Sequence, residues 1–221
     1  MTDATNGSMH QFSNLGVLHT ELPLDVFNNL KNAIDNLSTD AKPINNHLLG
    51  HIKEEYSLNH IKDSISDSVL AVADAWVNYH PGYVKTFEEA AKNKNYKLYL
   101  DTLWVNKQKK YEFNPMHEHS GVLSFVIWVN IPYDLAEEEK YFPPTTHETS
   151  NNRSNACTSK FCFYYTDMLG KIRQKPVPVD KTYEGDIIMF PSSLNHGVYP
   201  FYTSDDYRIS VSGNIRIGTA K

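Results

Sequence analysis

The sequence lacks the features that direct a chain out of the cell or into a bilayer. Over its 221 residues no apolar run approaches the roughly 18 needed to span a membrane. The opening MTDATNGSMHQFSN has no basic stretch leading into an apolar one. Neither export nor membrane anchoring is expected. Cysteine is nearly absent. Cys157 and Cys162 lie five residues apart, with no second pair to complete a zinc site and no disulfide framework, and this usage fits a reducing cytoplasm. Positive charge is also short, since 21 Lys and Arg against 26 Asp and Glu leave a net charge of −5. That balance argues against a nucleic-acid binder, which ordinarily carries a basic face. The one basic cluster, Lys107, Lys109 and Lys110, reads as a solvated turn. What remains is 40% apolar and 21% charged, the make-up of a soluble globular chain, and the length suits one domain. Ten histidines and fourteen tyrosines stand out, and only those placed by their neighbours carry information.

The pattern along the chain divides it in two. Residues 1–14 are polar and patternless, a flexible tail. A short strand is expected over 15–20. Pro23, followed by Val26, Phe27, Leu30, Ala33, Ile34 and Leu37 at three- and four-residue spacing, predicts an amphipathic helix to about residue 37. Residues 38–59 are looser. Ile61, Ile65, Val69, Val72 and Trp76 then form the stripe of a second helix that must stop before Pro81. A short helix is expected within 83–95. Past Tyr96 the period becomes extended, with β-branched and aromatic runs at 97–106, 111–116, 122–131, 160–166, 171–179, 186–190, 197–201 and 207–217. Leu169 and Gly170 fit a hairpin turn. The interval 134–159, with EEEK, PP and SNNRSN, has the composition of a long loop, the kind that covers a site or binds substrate.

Candidate chemistry begins at Asn114-Pro-Met-His117-Glu-His119-Ser-Gly121, between two strands. In extended backbone, side chains two apart face the same side, so His117 and His119 can address one point, while Glu118 turns away. A His-x-His pair alone is weak. A third element supports it: Gly185-Asp-Ile-Ile-Met-Phe-Pro-Ser-Ser-Leu-Asn-His196-Gly197, an apolar strand that runs through a proline turn to a histidine. Arg208 and Ser210 follow on one face of the last strand.

In order and spacing these parts resemble the 2-oxoglutarate/iron(II) oxygenase superfamily, in particular a branch related to prolyl hydroxylases and common in bacteria and their viruses. The likeness runs from about 98 to 217. It rests on WVN at 104–106, NPMHEHSG, WVNIP at 128–132, GDIIMFPSSLNHG and RIS at 208–210. It implies an α+β, mainly β fold, a double-stranded β-helix of the jelly-roll, cupin-like kind over 97–217 with helices of 15–96 packed on it, in the cytoplasm of a bacterial or phage-infected cell. It implies iron(II) held by His117, His119 and His196, with 2-oxoglutarate and O2 as co-substrates. Arg208 and Ser210 would take the distal carboxylate of 2-oxoglutarate, and Asn106, Trp128 and Ser124 would line its site. His119 stands where the family expects a carboxylate, so the set departs from the usual two-His-one-carboxylate triad. Glu118 or another residue as the missing donor is the alternative.

The implied activity is oxidative decarboxylation of 2-oxoglutarate to succinate and carbon dioxide, coupled to hydroxylation of a protein (prolyl) or small-molecule substrate. Tyr99, Tyr111, Tyr164, Tyr165 and Tyr199 are candidates for a peptide groove. His47 and His51 read as structural or exposed, and His147 can meet substrate from the long loop. The rival reading is a cupin-like three-His metal protein without 2-oxoglutarate turnover, and a three-His dioxygenase needing no 2-oxoglutarate is a second.

Overall fold

The central strands of this chain are apolar on both faces, and that fixes how they can be covered. The computed structural model describes residues 14–37, 44, 50–87, 96–141 and 157–219. The tail, His47, His147 and most of the segments 83–95 and 134–159 lie outside the described residues. In chain order the elements are β1 (Leu18–Glu21), α1 (Leu24–Asp35), β2 (Glu54–Ser57), α2 (Lys62–Tyr79), β3 (Tyr96–Gln108), β4 (Asn114–His117) and β5 (Leu123–Asn130). Then follow α3 (Leu135–Tyr141), β6 (Phe161–Thr166), β7 (Ile172–Val177), β8 (Asp186–Pro191), β9 (His196–Val198) and β10 (Arg208–Thr219).

The strands form two antiparallel sheets, one ordered β1-β8-β5-β10-β3-β2 and one ordered β4-β9-β6-β7. The fold is therefore mainly β with few helices, as expected. In β5 (LSFVIWVN) seven of eight residues are buried, which requires cover on both sides. Leu123, Phe125, Ile127 and Val129 pack in one cluster with Val26, Leu30 and Ile34 of α1 and Ile65, Val69 and Trp76 of α2. Val126 and Trp128, on the other pleat, join Phe161, Phe163, Ile188, Phe190 and Phe201 in a second cluster between the sheets. α2 ends at Tyr79, two residues before Pro81. No described helix is long and apolar enough to cross a membrane.

Three expectations need correction. The loose segment 38–59 contains a strand, β2, which pairs with β3 at the sheet edge. Its sequence EEYS is too short and too charged to show a strand period, and charge is what an edge strand carries. The interval 134–159 starts as a helix, not a loop. Asp134 caps it by accepting from the backbone N–H groups of Ala136 and Glu137, and the acidic first turn suits a helix N-terminus. Finally, Cys157 and Cys162 form a disulfide, so cysteine usage no longer argues for a reducing compartment. Of the basic cluster, Lys107 lies in β3 rather than in a turn, and only Lys109, over the Tyr207 ring at 5.0 Å, and Lys110, paired with exposed Asp205, follow the strand.

Gly213 in β10 fixes the packing of β5 against its neighbour. A Cβ there would lie 2.5 Å from Phe125 Cζ and 2.7 Å from the Thr102 carbonyl oxygen, so the Phe125 ring occupies the space a side chain would need. Gly213→Ala is expected to destabilise the fold by about 1–3 kcal/mol. Urea unfolding checks this, and an unchanged midpoint would contradict the packing.

Candidate active site

Strand register brings the three histidines together. β4 and β9 are antiparallel with His117 directly across from His196, and His119 lies two residues on, its backbone N–H bonded to Ser192 O at 2.9 Å. Each imidazole offers a ligand nitrogen, and these atoms all lie within 4.8 Å of one another. Backbone carbonyls orient two of the rings. Nδ1 of His117 is 2.7 Å from Pro115 O and Nδ1 of His196 is 2.9 Å from Leu194 O, so in the neutral tautomer each Nδ1–H donates and each Nε2 keeps its lone pair. The Trp104 ring stands edge-on to His119, and Phe161 stacks on His196. Burial among these aromatics disfavours the charged imidazolium. The pKa of His119 is pushed down to about 4, first by desolvation and then by His117, and those of His117 and His196 are also lowered, chiefly by desolvation. Three neutral, convergent imidazoles suit a divalent transition metal such as iron(II). Glu118 is exposed and outside this cluster, although it lines the same cavity.

The histidines open on a cavity of about 140 Å³ between the sheets, lined also by Trp104, Asn106, Gln108, Val126, Trp128, Phe161, Arg208, Ser210 and Ser212. The register sets these residues in rungs. Asn106 of β3 faces Ser210 of β10, which faces Trp128 of β5, and one rung along, Arg208 faces Gln108. Arg208 is 4% exposed and has no carboxylate partner among the described residues. Its guanidinium is held by neutral oxygens instead. Nε and Nη2 donate to Gln108 Oε1 (2.9 and 2.5 Å), Nη1 to Tyr133 Oη (2.8 Å) and Ser159 O (3.0 Å), and Nη2 to Tyr199 O (2.7 Å). A buried cation with no carboxylate in direct contact, in the same cavity as a metal-competent cluster, leaves room for an anionic ligand.

The other sequence-derived candidates divide. Asn106, Ser210 and Trp128 line the cavity, and Asn106 Nδ2 reaches Ser210 Oγ and Ser212 Oγ at 3.4 Å each. Ser124 does not line it. It shares the pleat of Trp128, yet its hydroxyl bonds to Ser192 and Asn214 two rungs away. Tyr164 and Tyr199 pair through their hydroxyls at 3.0 Å, and none of the five tyrosines is in the cavity wall. His51 is exposed and stacks on Phe113. Sequence reasoning missed four residues: Gln108 and Tyr133, which hold Arg208, and Glu55 and Asn114, which complete the wall. Gln108 continues the 104, 106 alternation, so its face was within reach of the pattern.

Comparison with known proteins bears on the whole arrangement. Residues 102–214, half of the chain, match a family described as "Putative 2OG-Fe(II) oxygenase". No curated protein matches. A Pseudomonas putida prolyl-4-hydroxylase is similar in fold, with a TM-score of 0.52 at 13% identity over 91% of this chain and 92% of that one. A prolyl hydroxylase from Trichoplax adhaerens, solved with a hypoxia inducible factor peptide fragment, gives 0.50 at 11% identity over 91% and 82%. The matched span takes in all three histidines, Asn106, Trp128 and Arg208, and the chain belongs to the 2-oxoglutarate/iron(II) oxygenase family, enzymes that work with iron(II), 2-oxoglutarate and dioxygen.

Proposed function

We propose that this chain is a 2-oxoglutarate-dependent hydroxylase of a prolyl residue in a protein or of a small molecule, built as a single double-stranded β-helix domain from about residue 15. His117, His119 and His196 hold the iron, Arg208 and Ser210 bind the distal carboxylate of 2-oxoglutarate, and Asn106 and Trp128 flank it. The observation that carries this reading is the buried, anion-free guanidinium of Arg208 in the cavity of the three histidines. The two facing antiparallel sheets and the fold likeness to prolyl hydroxylases support the architecture and the reaction type. Bound there, iron(II) and dioxygen would supply the oxidising power that turns 2-oxoglutarate into succinate and carbon dioxide and delivers an oxygen atom to substrate. The chain's own work is positional. Pro115 O and Leu194 O fix two ring tautomers, Gln108, Tyr133, Ser159 and Tyr199 hold the guanidinium plane, and Trp104, Phe161 and Trp128 keep water from the site. The absence of a carboxylate from the three-residue cluster favours, as a second reading, a cupin-like metal protein without 2-oxoglutarate turnover. That reading leaves the Arg208 charge without a purpose.

Arg208→Ala is expected to leave iron(II) affinity nearly intact and to weaken 2-oxoglutarate binding by roughly 3 kcal/mol, about 100-fold. Lysine at 208 rescues only in part, because an ammonium cannot engage all four neutral acceptors that hold the guanidinium in place. Anaerobic titration of the iron(II) protein, followed by the visible charge-transfer band, measures both. Loss of iron with 2-oxoglutarate binding spared would reverse the assigned roles.

The depressed histidine pKa values make a separate prediction. The unfolded chain takes up protons near the ordinary value of about 6.5 while the folded site still resists them, so the metal-free fold loses stability as pH falls from there toward 4. Iron(II) also requires neutral rings, so its affinity begins to fall only below the ordinary histidine value and is lost by about pH 4, where His119 itself protonates. Proton competition beginning near 6.5 would mean solvated rings and a wrong site.

His119→Asp is expected to retain iron, since a carboxylate restores the common triad, whereas His119→Ala loses far more affinity. Iron titration at matched pH, read beside succinate formation, decides. Wild-type behaviour of His119→Ala would remove His119 from the ligand set.

A further inference from the structure

The side of the cavity nearest the sheet edges carries a charge that the proposed iron and 2-oxoglutarate sites do not use. β2 is the edge strand of the larger sheet and β4 the edge strand of the smaller one, and Glu55 of β2 and Asn114 of β4 both line the cavity. Glu55 faces Asn106 across the strand pair, so Glu55, Asn106, Ser210 and Trp128 form one row across the sheet. At about 4.8 Å per strand, Glu55 stands roughly 10 Å from the strand that carries Arg208.

Glu55 is 2% exposed, and its Oε1 has no hydrogen-bond partner. Oδ1 of Asn106 and Oδ1 of Asn114 are likewise buried and unpartnered, so three residues of one cavity wall carry an acceptor oxygen with no donor among the described residues. Asn114 Oδ1 lies against Gly50, where a Cβ would come within 1.7 Å of it. The Asn114 side chain hydrogen-bonds the Glu55 carboxyl, and Glu112, of the same sign, acts on it at longer range. Desolvation above all, with Glu112 adding to it, raises the Glu55 pKa to about 7. Glu118, exposed, adds a second carboxylate to the wall, and Arg208 is the lining's one cationic side chain among the described residues. Buried acceptors with no donor are costly to leave, and a native protein keeps them where a ligand satisfies them.

We infer that Glu55, with Asn106 and Asn114, receives a positively charged nitrogen of the prime substrate, so that this oxygenase acts on a compound or peptide bearing a protonated amine or a guanidinium. The inference rests on the proposed function and adds the substrate class. The cavity sorts its ligands by sign: 2-oxoglutarate goes to Arg208, and the basic group of the substrate goes to Glu55. Glu55 is a binding residue and takes no part in the oxygen chemistry.

Calorimetry on the full chain tests it, both metal-free and loaded anaerobically with iron(II) and 2-oxoglutarate. The probes are L-lysine and L-arginine, the neutral counterparts L-norleucine and L-citrulline, and short peptides containing each of the four. Basic probes are expected to bind roughly 10- to 100-fold more tightly than neutral ones, as a charge-assisted bond to a buried carboxylate should give. Glu55→Gln, close in shape and checked for folding by its thermal midpoint, should bring that ratio close to one. Preference among free amino acids identifies a small-molecule amine, and preference confined to peptides identifies a protein side chain. No preference for basic probes, or a preference that Glu55→Gln leaves intact, overturns the inference. Should the variant fail to fold, the wild-type ratio alone decides. If 2-oxoglutarate does not bind while metal-free protein still prefers basic probes, the oxygenase reading fails and the role of Glu55 stands.

Discussion

One buried cation organises the interior of this protein. Arg208 sits at the start of the last strand, and its five N–H donors are all engaged by uncharged oxygens from four parts of the chain. Neutral acceptors satisfy the donors, but no carboxylate touches the guanidinium, and a buried charge without a contacting partner is costly for a fold. The arrangement makes sense as a preorganised receptor. The cage fixes the guanidinium before any ligand arrives, so binding an anion orders no side chain and its Coulomb energy goes into affinity.

The cage in turn explains features that look unrelated. Ser159 has a positive φ of 61°, and its carbonyl accepts from both Arg208 Nη1 and Tyr133 Oη. It lies in the short loop closed by the Cys157–Cys162 disulfide, and its hydroxyl donates to Glu138 of α3. Glu138, fully buried, also accepts from the backbone N–H groups of Tyr202 and Thr203 and from the Thr203 hydroxyl. A helix, a disulfide loop and the segment before β10 are thus joined behind Arg208 by one chain of hydrogen bonds. Each partner in such a network is satisfied only if the others are, so the backbone strain at Ser159 is held by the same contacts that position the cation.

How much of this can be read in the sequence depends on distance along the chain. The His-x-His pair and the Arg208, Ser210 pair are legible because extended backbone has a period of two, and the two helices because their stripes are continuous. The mainly antiparallel β architecture follows from the run of extended segments after Tyr96. Parity fixes a face but not a depth along the strand, and so Ser124, on the right pleat, lies one rung beyond the cavity-lining Val126 and bonds to Asn214 instead. Glu55 was hidden for another reason. It belongs to a strand only by pairing with β3 some fifty residues later, and no local pattern in EEYS announces that partnership. EEEK was misread because composition alone cannot distinguish an acidic loop from the favourable first turn of a helix.

The separation of charge across the cavity has a consequence for the order in which ligands can be held. A dianion placed near Glu55 would meet its carboxylate, while a basic group placed near Arg208 would meet a fixed guanidinium whose neighbouring acceptors are already used. Each wrong arrangement sets like charges together in a site with little water, where their repulsion is weakly screened. The two right arrangements also support each other. A bound dianion leaves the metal end of the cavity less positive, which makes the arrival of a cation at Glu55 more favourable, and that cation favours the ionised carboxylate that burial otherwise resists. On the proposed assignment, discrimination between co-substrate and substrate would need no moving part; it would follow from which edge strand carries the acid and which inner strand carries the base.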